Sequence, residues 1–143
     1  MAELRNYYSD QVFITFGAVL VDAGAYHDGD FVSLEPVADR FTSFVGAGGE
    51  VVHSRTNDNR WTVTLRLHQA SPTNSLLSAI AELDRIAPNG AGVFPLTVND
   101  SSGNALYFGE KARIMKVPAA NFGTEVSVRE WTFEVASMRI TLA

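Results

Sequence analysis

Residues 60–69 read RWTVTLRLHQ. Trp61, Val63, Leu65 and Leu67 fall on one side of an extended chain. Arg60, Thr62, Thr64, Arg66 and His68 fall on the other. This period of two, held for eight residues, predicts a strand with one buried and one wet face. A lone strand can neither hide that apolar face nor satisfy its own backbone, so the chain must build a sheet over a core. Its 143 residues, 46% hydrophobic and 19% charged, suffice for a single domain over 1–143.

The remaining segments fit a β-rich fold. Residues 11–21 (QVFITFGAVLV) predict two strands, or one kinked at Gly17, and residues 31–35 predict a short strand ended by Pro36. Residues 41–45 and 50–54 are weaker strand candidates around the breaker Gly46-Ala47-Gly48-Gly49. One helix is expected, with Ser71 as N-cap, Pro72 in the first turn and a stop at Pro88-Asn89-Gly90. Its apolar stripe is read as Leu76, Ile80, Leu83 and Ala87, with Leu77 beside it. Residues 94–99 predict a strand placed at an edge by Pro95. Residues 105–117 predict another, with Leu106, Phe108, Ala112 and Ile114 sharing a face. In the last element, 126–142, the apolar positions switch from odd to even near Ala136-Ser137, where a β-bulge would restore one buried face. The expectation is about eight strands and one helix.

The chemistry of the chain excludes more than it offers. There is no cysteine, so disulfides, thiolate metal sites and Cys nucleophiles are out. Net charge is −5, which disfavours a dedicated nucleic-acid binder. No apolar run approaches the ~20 residues that span a bilayer, and the N-terminus MAELRNYYSD does not read as a secretory signal, so no membrane insertion is expected. His27, His53 and His68 lack ligand spacing, and His27-Asp28-Gly29-Asp30 reads as an acidic turn rather than a cation loop. Nucleophile-elbow, phosphate-loop and dinucleotide motifs are missing from the sequence, and no cofactor is expected. Glu130 and Glu134 stand ~13 Å apart along a strand, too far for most carboxylate pairs of glycoside hydrolysis. Arg129 and Arg139 read as surface charges. An enzyme is not expected.

Two features rise above this background. Residues 39–59 form a long segment that mixes Phe41, Phe44 and Val45 with three glycines, and two phenylalanines on a merely solvated loop would be costly. Contact with another subunit is the better reading. Residues 17–35 carry Asp22, Asp28, Asp30 and Glu35 and neither Lys nor Arg.

The stretch FTSFVGAGGEVVHSRTNDNRWTVTLRLHQASPTNSLLSAIAELD, with VFPLTVNDSSG and REWTFEV further on, resembles the small tail tube proteins of bacteriophages with contractile tails. The cues are V-G-A-x-G-E-V at 45–51, S-R-x-N-D at 54–58, T-V-T-L at 62–65 and S-P-x-N-x-L-L-S at 71–78. The similarity covers about residues 31–142. It implies a mainly β fold with one helix, a β-sandwich or partial barrel, and six copies closed into rings stacked around a channel for the genome. It also implies the tail sheath, tail tip or baseplate, and tail terminator proteins as partners, with the tape measure protein and DNA transiently in the lumen. Location would be the virion tail, after assembly in the host cytoplasm. The same fold serves type VI secretion tubes and tailocins. A carbohydrate-binding β-sandwich is a more distant alternative, disfavoured because Trp61 and Trp131 fall on apolar strand faces.

The resemblance makes 39–59 an assembly loop, with Phe41, Phe44, Val45, Gly46, Gly48, Gly49, Glu50, Val51, Arg55, Asn57 and Asp58 at a subunit interface. Thr62, Thr64, Glu130, Thr132 and Glu134 are assigned to the lumen, where a net-negative wall would limit phosphate binding. Arg60, Arg66 and His68 share that polar parity and count against a uniformly acidic wall, unless they pair with neighbouring carboxylates.

Overall fold

A computed structural model describes residues 4, 6–8, 11–21, 30–101 and 105–142. The acidic turn His27-Asp28-Gly29-Asp30 lies outside them except for Asp30. In chain order the elements are β1 (Val12–Phe16), β2 (Val19–Leu20), β3 (Val32–Pro36), β4 (Phe41–Val45), β5 (Val51–Arg55), β6 (Trp61–His68), α1 (Thr73–Ile86), β7 (Phe94–Asp100), β8 (Ala105–Lys116), β9 (Val128–Val135) and β10 (Met138–Leu142). β4 and β5 form a hairpin of their own. All other strands join one antiparallel sheet in the order β2-β1-β7-β8-β9-β6-β3, with β10 continuing the β9 side of β8.

That sheet is curled. β1 and β9 are three strand spacings apart, ~14 Å across a flat sheet. Yet Phe16 on β1 and Phe133 on β9 meet edge to face with ring centroids 5.0 Å apart. Val12, Ile14 and Phe16 share one core with Val63, Leu65, Leu67, Leu96, Val98, Trp131, Phe133 and Val135. The alternation of β6 therefore means what it suggests: its odd residues are interior and its even ones lie outside. Gly17, at φ 61°, turns β1 into β2 in a conformation that L side chains rarely adopt.

Helix α1 seals the core. The helix starts one residue later than expected, with Pro72 and not Ser71 at its N-cap and no side-chain cap bond; the Thr73 N–H donates to Ser71 Oγ at 3.4 Å just ahead of it. Trp131 Nε1 donates to Asn74 Oδ1 at 2.9 Å, tying the helix to the inner side of β9. The expected stripe is displaced, however. Thr73 and Leu77 are buried and Ile80 and Ala81 pack beside them, whereas Leu76 and Leu83 are exposed. The helix has apolar residues on two sides, and only one of them meets the core.

Three further expectations are corrected. β7 is interior, not an edge; Pro95 is tolerated because it sits where the β7–β8 register shifts, and its carbonyl accepts from the Gly17 N–H at 2.8 Å. Leu106 and Phe108 do not share a face with Ala112 and Ile114. The same shift adds a residue to β8, so Leu106 and Phe108 face out while Ala112 is buried. The 126–142 element is two strands, with the interruption at Ala136-Ser137. β9 and β10 keep one continuous register along β8 across it, because β8 is irregular at the same level. At Gly109, beside that irregularity, a Cβ would overlap Val135.

Candidate functional site

Among the described residues no three His, Cys, Asp or Glu side chains gather as a metal site, and no helix is long and apolar enough to cross a membrane. The features with functional content are surfaces.

The first is the hairpin. Residues 39–59, read from sequence as an assembly loop with weak strand candidates at 41–45 and 50–54, hold a paired hairpin: Phe41↔Arg55, Thr42↔Ser54, Ser43↔His53, Phe44↔Val52 and Val45↔Val51. The tip closes through the Gly46 N–H to Glu50 O at 2.7 Å and the Gly49 N–H to Gly46 O at 3.0 Å, with Gly49 at φ 85°. Every residue of both strands is exposed. Alternation puts Phe41, Val45 and Val51 on one side and Phe44 and Val52 on the other, so the ribbon is apolar on both faces. Phe44 is 67% exposed and Val45 63%. Five such side chains, each more than half exposed, hold back roughly 5 kcal/mol of burial. A two-stranded ribbon with neither face covered is marginal in water. The structure thus brings together Phe41, Phe44, Val45, Gly46, Gly48, Gly49, Glu50, Val51 and Arg55, and adds Val52, whose place opposite Phe44 was not read from sequence.

Asn57 and Asp58 lie past the ribbon, and Asp58 is engaged within its own chain. Its Oδ1 accepts from the Arg60 backbone N–H at 3.2 Å and from Nε at 2.8 Å, and its Oδ2 accepts from Nη2 at 2.8 Å. These bonds hold the Asp58 carboxyl down to about 2 and raise the Arg60 guanidinium further above its already high value. Arg60 Nη1 also donates to Glu134 Oε1 at 3.2 Å, which ties the hairpin base to β9.

The second surface is the outer face of the β3–β6–β9–β8 region. Thr62, Thr64, Glu130, Thr132 and Glu134 do share it, through Thr62↔Glu134, Thr64↔Thr132 and Arg66↔Glu130. The net-negative wall expected there is not what forms. Glu134 is paired with Arg60, and Glu130 with Arg66 at 3.4 Å. Lys111, Arg113 and Lys116 follow on β8. Arg129 is a further correction. It is buried, donates to Ser127 Oγ at 2.6 Å and Gln69 Oε1 at 3.3 Å, and lies 5.4 Å from the Phe122 ring centroid. Its odd position, shared with Trp131 and Phe133, was the available signal.

The third surface is the outer side of α1, where Leu76, Ala79, Leu83 and Ile86 form an exposed stripe. The other side of α1, through Leu77, shares the core with the inward residues of β6 and β9.

These surfaces can be set beside known proteins. The cryo-EM structure of the anti-feeding prophage cap, a tube-terminating cap, aligns with a TM-score of 0.62 at 13% identity, covering 100% of this chain and 95% of that one. The sheath–tube complex of the extracellular contractile injection system PVC, in its extended state, gives 0.64 at 11%, covering 96% and 93%. The sheath/tube terminator of the same system gives 0.70 at 12%, covering 98% and 99%. At such identities the likeness carries the fold. "Structural protein ORF10" of Pseudomonas phage KPP10 is 32% identical over 114 residues, or 78% of this chain and 65% of that protein, so the match spans just under two thirds of the relative's length. The sequence profile of the bacteriophage PhiTE tail tube protein matches residues 14–143, nearly the whole chain, and this chain therefore belongs to that tail tube family.

Proposed function

We propose that this chain is the subunit of the inner tube of a contractile tail, in a bacteriophage or a tailocin, and that it stacks as six-membered rings around a channel that passes the genome. The observation that carries this reading is the β4–β5 hairpin, exposed and apolar on both sides, which makes sense when a second copy covers it. On this reading the hairpin docks on a different surface of the next copy, a heterologous contact that propagates as rings or tubes.

The charged face supplies the wall. Each copy contributes β8, β9, β6 and β3, all antiparallel. Six copies give 24 strands, a backbone barrel roughly 35–40 Å across, wide enough for an aqueous bore. On this reading Thr62, Thr64, Glu130, Thr132 and Glu134 line the lumen, and pairing of their carboxylates with Arg60 and Arg66 leaves sliding phosphates few free cations. The α1 stripe then faces outward, toward a sheath. Tail tip or baseplate and terminator proteins would close the ends, and a tape measure protein would fill the bore before DNA. A terminating ring is a second reading, supported by the likeness to the PVC terminator; such a ring would cap tubes without extending them.

Negative-stain microscopy of the purified chain over a range of concentrations tests this. Rings and extended tubes are expected, and deletion of residues 46–54 should leave a folded monomer that builds none. A wild-type chain that stays monomeric throughout, or tubes from the deletion protein, would overturn the reading.

A further inference from the structure

One end of the molecule carries a hollow and the other a knob. The hollow, about 390 Å³, lies at the root of the β4–β5 hairpin. Pro36, Trp61, Met138 and Ile140 give it an apolar floor, and Asp39, Arg40, Asp58 and Arg60 stand around it. Asp58 and Arg60 are bound to each other. The knob is the segment 117–127 between β8 and β9, VPAANFGTEVS. Val117, Phe122 and Val126 are exposed there, Phe122 to 85%. The segment is nevertheless tied down. Buried Arg129 donates to Ser127 Oγ at 2.6 Å, that oxygen lies 2.9 Å from Asn121 O, and the Gln69 N–H donates to Ser127 O at 3.0 Å. A network rooted in the core thus holds Phe122 outward. The only charge on the knob is Glu125. Among the described residues neither Glu125 nor Arg40 has an ion-pair partner.

We infer that Phe122 of one copy seats in the hairpin-root hollow of the next, with Glu125 against Arg40. The inference rests on the tube reading and adds a contact separate from the apolar faces of the hairpin. The strand register places the two parts. β6 and β9 pair from Trp61↔Val135, beside the hollow, to His68↔Val128, where the knob ends. At ~3.4 Å per residue the paired stretch is ~24 Å long, so a chain cannot fill its own hollow. A second copy displaced along the β6–β9 direction brings its knob to that hollow. An exposed aromatic ring then meets an apolar floor, burying up to ~150–250 Å² of the kind of anchor that dominates protein contacts. The single acid of the knob meets the one base at the hollow that its own chain leaves without a carboxylate. Asp39 is the remaining charge there, and it has the same sign as Glu125, so Arg40 fixes which side of the hollow the acid takes. Knob and hollow are different surfaces, so the contact repeats from copy to copy without closing on itself.

Variants of the full chain test this, each checked for its fold by circular dichroism and thermal melting. Phe122→Ala should leave the melting curve unchanged and raise the concentration needed for tubes by at least about tenfold. Glu125→Arg and Arg40→Glu should each weaken assembly, and one chain carrying both should recover it, because every junction then pairs the exchanged charges. The sequence has no cysteine, so Ala38→Cys, at the hollow, with Gly123→Cys, on the knob, introduces the only pair. A Cβ at Gly123 meets open space. Within one chain these sites lie at opposite ends, beyond the ~7 Å between Cα atoms that a disulfide spans, so a bond forms only between copies. Oxidised tubes should give a ladder of covalent oligomers on a non-reducing gel, and either cysteine alone nothing beyond a dimer. Phe122→Ala assembling as well as wild type, tubes of the double-cysteine chain without a ladder, or a charge exchange that does not recover would overturn the contact while wild-type tubes keep the tube reading. A wild-type chain that never assembles would sink both.

Discussion

The β6–β9 pair and the β4–β5 pair are built by the same rule and end in opposite environments. Both are antiparallel and rich in Val, Phe and Thr. β6 and β9 match eight residues from Trp61↔Val135 to His68↔Val128, and every second side chain enters the core. β4 and β5 match five, and none is buried. The difference lies in the pattern. Trp61, Val63, Leu65 and Leu67 hold one parity, so one layer suffices to cover them. Phe41 with Val45, and Phe44 with Val52, divide between two faces, so a covering layer is needed on each side. The described residues supply neither. Apolar side chains without a layer of their own mark where another molecule belongs.

The largest effect should come from the covered pair. Phe133→Ala removes a ring in edge contact with Phe16 and leaves a cavity under the wall. A loss of about 3–5 kcal/mol is expected. Urea unfolding measures it, and a loss under ~1 kcal/mol would show that the curled sheet is not held by this contact.

The uncovered pair should respond the other way. Phe44→Ala with Val52→Ala leaves monomer stability within ~0.5 kcal/mol, since both side chains are exposed. The same change should raise the concentration needed for tubes by roughly tenfold or more. Light scattering against concentration, next to a melting curve, separates the two readouts. A destabilised monomer with normal assembly would reverse the comparison.

A smaller effect is expected on the charged face. Glu130→Lys with Glu134→Lys removes the carboxylate beside Arg66 and one of the two that Arg60 holds, and adds two lysines to the proposed lumen. Tubes should still form, and genome ejection should slow. Unchanged ejection kinetics from virions carrying both changes would remove this face from the channel.

What could be read in advance follows the same division. β6 was legible because strict alternation and burial coincide there. Helix α1 was legible in extent from Ser71-Pro72 and Pro88-Asn89-Gly90, but not in orientation. Leu76 and Leu77 are equally apolar neighbours, and which side turns in is set by contacts to distant strands such as Asn74–Trp131 and Asp84–Arg113. Leu106 and Phe108 misled because an irregularity in β8, placed by Pro95 on its partner, changes parity without any mark in β8 itself. For the site, Phe41, Phe44 and the glycines of the tip announced an unusual segment. That they form a ribbon depends on pairing between 41–45 and 51–55, which weak strand signals around a four-residue breaker do not reveal. The neutralised wall depends on registers such as Arg66↔Glu130, which no single strand contains.

The finest expected effect concerns the joint between the two regions. Asp58 and Arg60 fasten the hairpin base to Glu134. Bonds from Arg60 lower the Asp58 carboxyl from 3.8 to about 2. A carboxylate whose folded value is depressed adds stability that is fully present above its unfolded value and fades as the pH falls through the folded one. The clamp should therefore be intact above pH 3.8 and open as the pH falls toward 2, while Asp58→Asn should abolish this dependence. Carboxyl NMR of Asp58 measures it directly, and a midpoint in the ordinary carboxylate range would show that the fork with Arg60 does not persist in solution. Because Arg60 also holds Glu134, the Arg60 side-chain resonances should move in the same window. If only Asp58 titrates and Arg60 stays still, the hairpin hinges freely at its base, and its orientation is set by the neighbouring copy and not by its own wall.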